Sequence, residues 1–186
     1  MEVPDSRIDW LSSVYRPKRT IYARTEVVDI QPHKGQEFLN AVRNLDALVV
    51  VAAPFMEDTP HAVASIVDDL ETEFFVADLS SVEGRLEKLR SNKGKPVSAA
   101  EIPFLEKCHA ALDQNVPLRK VEFEPHEKEF LSNFAFFTKL PMIIAVNVSE
   151  SSLASGEYVG KDELLAKSEQ AGYPLVVFSG EVEPEI

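Results

Sequence analysis

A chain of 186 residues with 45% hydrophobic and 27% charged side chains has the composition of one soluble globular domain, long enough to bury a single core. Its formal net charge of -12 argues against a nonspecific grip on phosphate backbones, which needs clustered Lys and Arg, so direct nucleic-acid binding is not expected. The single Cys108 rules out an internal disulfide, the opening Met1-Glu-Val-Pro-Asp5 lacks a signal-peptide pattern, and no run nears the about eighteen apolar residues of a membrane span, so a cytoplasmic location is expected.

Asp5 or Ser6 caps a short helix that sets Ile8, Leu11 and Val14 on one face and ends at Pro17, with Trp10 assigned to its packing. The stretch Thr20 to Ile30 is rich in β-branched residues, which predicts a strand with Asp29 at its carboxyl end. A loop through Gln31-Pro-His-Lys-Gly35 follows, then helical spacing at Phe38, Leu39 and Val42, then Leu45-Asp-Ala-Leu-Val-Val-Val51 as a strand that breaks at Pro54. Strand, helix, strand in that order favours a parallel pair joined by a crossover.

From His61 to Leu89 one apolar stripe runs along a long helix, and Asp68, Asp69, Glu71 and Glu73 read as its wet face. Asn92-Lys-Gly-Lys-Pro96 is a turn, and Ser98-Ala-Ala-Glu101 matches a capping box that opens a return helix through Leu105, Cys108, Ala111 and Leu112. Cys108 belongs to the core of that hairpin, His109 and His126 to its wet side, and 125–137 supplies one more short helix. Two apolar runs close the chain, Leu140 to Asn147 and Tyr173 to Phe178, and each reads as a parallel strand buried on both faces. Between them a helix from Gly160 to Ala171 stops at Gly172. Ligands of parallel sheets sit beyond the carboxyl ends of strands, where this chain carries Asn147-Val-Ser-Glu150 and Ser179-Gly-Glu181.

From Val3 onward the chain resembles the nucleotide-binding domain of the YchF, or Obg-like ATPase, family of P-loop GTPases. The resemblance lies in Val3-Pro-Asp-Ser-Arg-Ile-Asp-Trp-Leu, Tyr15-Arg-Pro-Lys, Val27-Val-Asp29-Ile, the run from Phe38 to Val49, Ala77-Asp-Leu-Ser-Ser-Val-Glu-Gly-Arg-Leu, and the Asn147 and Ser179 loops. It implies a single α/β, Ras-like domain over 1–186 with a mostly parallel sheet and a helical, coiled-coil-like insertion over 80–139. It also implies a base-binding loop at Asn147 to Glu150, of the version associated with relaxed guanine preference and use of ATP. Backbone N–H groups at Ser179 and Gly180 would meet the purine edge, and Val148 would give the nucleoside an apolar contact.

Departures from the family pattern are equally specific. The phosphate loop, G-x-x-x-x-G-K-[ST], and its strand are expected to be missing, together with the family's C-terminal domain. Gly156-Glu-Tyr-Val-Gly160-Lys161 has three residues between its glycines and reads as a helix start. In Asp29-Ile-Gln-Pro32 a proline without an N–H stands where the family's glycine approaches phosphate, so Asp29 and His33 are at most a remnant switch. The expected function is therefore weak or vestigial GTP or ATP binding through Asn147, Glu150, Ser179 and Gly180, without Mg²⁺, metal ligands or catalytic residues. The alternative is an interaction or regulatory protein that meets a protein partner through the helical arm and acidic surface. The family's phosphate-loop strand lies between the strands ending at Asp29 and Ala53. Without it, either those two strands pair directly or another segment, including one from a second copy in a homodimer, fills the sheet edge.

Overall fold

Asp5 opens the first helix by accepting the Arg7 N–H at 2.9 Å, as an N-cap carboxylate should. The computed structural model describes residues 2–31, 34–56, 60–91, 96 and 99–181. It divides into two compact units, Met1–His33 and Lys34–Ile186. In the first, α1 (Ser6–Tyr15) ends at Arg16, whose left-handed φ of 44° turns the chain back. Val3 N–H donates to the Ala23 carbonyl at 2.8 Å, Ser12 and Thr20 hydroxyls meet at 2.6 Å, and Tyr22 donates to Asp9.

Two expectations fail in this unit. The segment from Thr20 to Ile30 forms only an isolated antiparallel bridge, Glu2 to Arg24, and not a strand. Its β-branched residues suit a pleated backbone, but no neighbouring strand completes the ladder, and Val27 and Val28 stay exposed. Trp10 is 64% exposed instead of packed.

The second unit holds a parallel sheet in the order β1 (Leu48–Ala52), β2 (Met142–Asn147), β3 (Leu175–Phe178). Leu48 pairs with Met142 and Ile144 with Leu175, which fixes one face as Val50, Ala52, Met142, Ile144 and Val146, all buried. The opposite face was expected to be covered as well. Instead Val49 is 60% and Val51 55% exposed, with Ile143 and Val176 open beside them. A long apolar run cannot reveal this, because it removes the alternation that would mark one side as wet.

Helix α2 (Gly35–Val42) turns Phe38 and Val42 inward, and α3 (Pro60–Arg90) follows β1. Proline suits the first turn of α3, where its missing N–H has no partner to lose. At 31 residues and about 1.5 Å per residue, α3 outreaches the sheet and carries a second core beyond it. That core joins Val82, Leu86 and Leu89 to Phe104, Leu105, Cys108 and Leu112 of α4 (Glu101–Asp113), with Leu118, Phe123 and Phe136. The Phe104 ring lies 5.5 to 5.9 Å from those of Phe123, Phe130 and Phe134. Burial pushes the Cys108 thiol up to about 12, consistent with an inert core residue.

Ser98 and most of the expected turn at 92–96 lie outside the described residues. The expected capping box rests on Ser98 and so lies outside the described residues, while its Glu101 is 1% exposed and bonded to Arg85 at 2.7 Å. Helix α5 (Pro125–Asn133) opens with Glu127 accepting the Glu124 N–H at 2.8 Å. The chain then returns along α3, where the buried Asp78 carboxylate accepts the Phe137 and Thr138 N–H groups at 2.9 and 2.8 Å and the Thr138 hydroxyl at 2.7 Å.

Helix α6 (Glu150–Ser155) and α7 (Lys161–Ala171) connect β2 to β3. The acidic face of α3 is exposed at Asp68 and Asp69, as expected, but it is also tied to its neighbours, and Glu71 is largely covered. Lys167 pairs with Asp68 and Glu71, Lys34 with Asp69, and Glu73 takes the Gly35 N–H. Glu71 also accepts from Arg119 and from the Tyr173 hydroxyl, and the Arg119 guanidinium stacks 4.6 Å above the Tyr173 ring. Burial alone would raise the Glu71 pKa, but the Lys167 and Tyr173 hydrogen bonds and the Lys167 and Arg119 charges hold it below the usual carboxylate value.

Candidate functional site

Asn147 is the last residue of β2 and pairs in register with Phe178, the last of β3. The Val148 N–H donates to the Phe178 carbonyl at 2.9 Å, so the ladder holds for one residue past both strands. There the two loops diverge. Ser149 caps α6 by accepting the Ser152 N–H at 3.2 Å, which leaves Glu150 exposed in the first helical turn. On the other strand, Ser179 is fully buried and Gly180 donates its N–H to Asn147 Oδ1 at 2.9 Å. A Cβ at Gly180 would stand 3.4 Å from both terminal atoms of the Asn147 amide, so glycine lets this backbone close on the side chain.

The structure thus joins Asn147 directly to Gly180, the residue after Ser179, and puts Glu150 three residues along the Asn147 loop. Two groups here lack a partner among the described residues: the Asn147 amide N–H2 and the Ser179 hydroxyl, whose oxygen is buried and unbonded. The Gly180 N–H is engaged by Asn147. Val148 is 3% exposed and packs inside the protein, so its expected contact with a nucleoside is corrected. Chemically, the strand tips offer an amide donor, a hydroxyl able to donate or accept, and a carboxylate acceptor.

Other sequence candidates fall elsewhere. Asp29 is exposed in the N-terminal unit, while Pro32 and His33 lie outside the described residues. Gly160, at φ 75°, starts α7 with its backbone against Pro60 and Val63 of α3. Lys161 bonds the Gly156 carbonyl and Glu157 at 2.7 and 2.8 Å, as a helix start and not a phosphate loop. His61 and His126 are exposed, and His109 meets Glu83 at 3.3 Å. Among the described residues no cluster of His, Cys, Asp or Glu is placed to hold a metal, and no helix is long and apolar enough to cross a membrane. Sequence reading missed Asp78 and the Glu71, Arg119 and Tyr173 group, whose only sequence signal is charge at helical spacing.

A parallel three-stranded sheet with a long helical hairpin between its first two strands defines an α/β domain. The solved structure of the Schizosaccharomyces pombe YchF GTPase matches 96% of the chain and 54% of its own length at a TM-score of 0.75, with 24% sequence identity. Among curated relatives, the ribosome-binding ATPase YchF of Bacillus subtilis is 30% identical across the whole chain and 56% of its own length. The Obg-like ATPase 1 of Caenorhabditis elegans is 29% identical over 97% of this chain and 51% of its own length. No family model matches the sequence. Over its whole length the chain is similar to proteins of the YchF/Obg-like ATPase family. It spans about half the length of the curated relatives it matches.

Proposed function

We propose that this chain is a purine-nucleotide recognition module that contacts the base through Asn147, Glu150 and Ser179, with Gly180 holding Asn147 in place and not meeting the base through its N–H as expected, and that it does not hydrolyse nucleotide by itself. The observation that carries this reading is the strand-tip arrangement, in which Gly180 holds the Asn147 amide and the preceding residue, Ser179, has a buried hydroxyl without a partner. A buried unpaired hydroxyl is costly, and a ligand that bonds to it recovers the loss. The relatives' names supply ATP as the nucleotide class. Positioning and charge neutralisation provide nearly all of phosphoryl-transfer catalysis, and the 186 residues contain no G-x-x-x-x-G-K-[ST] segment to supply them, so binding is weak and independent of Mg²⁺. A cytoplasmic setting belongs to the same reading.

The test is thermal stability against ADP, ATP, GDP and GTP up to millimolar concentration. Saturable stabilisation of about 1.4 kcal/mol at ten times Kd is expected, and it should vanish in Asn147→Ala. No shift with any nucleotide would overturn the proposal. Turnover with Mg²⁺ that disappears in Asn147→Ala would overturn the absence of hydrolysis.

A second reading is an interaction protein, and one observation favours it: the helical hairpin has its own filled core while the chain carries a net charge of -12. The Bacillus subtilis relative is named ribosome-binding, so the partner class to test is the ribosome. Co-sedimentation that survives Asn147→Ala and is lost on charge reversal along the hairpin would support it.

A further inference from the structure

We draw no further inference here: the strongest candidate, the open groove between α2, α3 and the segment after α5, walled by Leu39, Val76 and Phe137, mixes the charges of Lys34 and Arg43 with those of Asp69 and Glu73, so that charge favours no class of partner and nothing in the structure shows what covers it.

Discussion

In the helical hairpin, Asp78 is 1% exposed and accepts three hydrogen bonds, and Glu101, equally buried, takes the Arg85 guanidinium. At the tips of β2 and β3, Ser179 is fully buried and its hydroxyl has no partner, while one face of the sheet leaves two of the five β1 residues more than half exposed. Buried polar groups are ordinarily satisfied and parallel sheets are ordinarily covered on both faces. The hairpin follows the first rule and the sheet end breaks both. The buried carboxylates of the hairpin are therefore partnered within the chain, whereas the buried Ser179 hydroxyl at the sheet end has no partner among the described residues.

The comparison is broken most directly by emptying the hairpin core. Phe104→Ala removes a ring packed against three others and should cost about 4 kcal/mol, read from urea denaturation. A loss below about 1 kcal/mol would mean that the hairpin core collapses around the gap and is not the rigid half of the molecule. Asp78→Ala comes next. It strands two backbone donors and a hydroxyl where the chain returns to α3, for about 3 kcal/mol, and Asp78→Asn should recover part of this by accepting one bond.

Glu71 links α3 to Arg119 and to Tyr173 at the start of β3, so it sits between the two regions compared. Its pKa is lower folded than unfolded, so its contribution is present above the ordinary value near 4.5 and is lost as pH falls through the depressed folded value. Asp78 runs the other way: burial raises its pKa, so its contribution is greatest at low pH and declines as pH rises from 3.8 through the raised value. Glu71→Gln should cost about 1.5 kcal/mol at neutral pH and flatten the loss of stability below pH 4.5. An unchanged acid limb would show that the ties through Glu71 carry little energy.

Legibility in the sequence follows the same divide between local and distant causes. Helix α1, the stop at Gly172 and the three parallel strands were readable because their signals lie within a few neighbouring residues: the Asp5 cap, a left-handed glycine, an unbroken apolar run. The Asn147 and Ser179 loops were readable as a pair because both end such runs. The strand expected from Thr20 to Ile30 failed because a strand is completed by a partner, and propensity says nothing about whether one is present. Glu71 looked like a wet helix position and Asp78 went unnoticed because their partners lie far along the chain, 102 residues away at Tyr173 and 59 at Phe137. Charged residues with distant partners have no local signature.

The smallest expected effect bears most directly on the sheet end. If the Ser179 hydroxyl is buried without compensation, replacing it with hydrogen removes a desolvation cost and loses no bond. Ser179→Ala should then leave the ligand-free protein as stable as before or more stable by about 1 kcal/mol, the reverse of the usual result for a buried polar residue. A hydroxyl kept for ligand contact also predicts a second effect of opposite sign: the stabilisation by millimolar ATP or GTP should shrink in the same variant. If Ser179→Ala instead destabilises the free protein, the hydroxyl has an intramolecular partner in solution, and the sheet end is as complete as the hairpin. If the free protein gains stability and the nucleotide shift is unchanged, the hydroxyl is an uncompensated group with no part in binding, and recognition rests on Asn147 and Glu150.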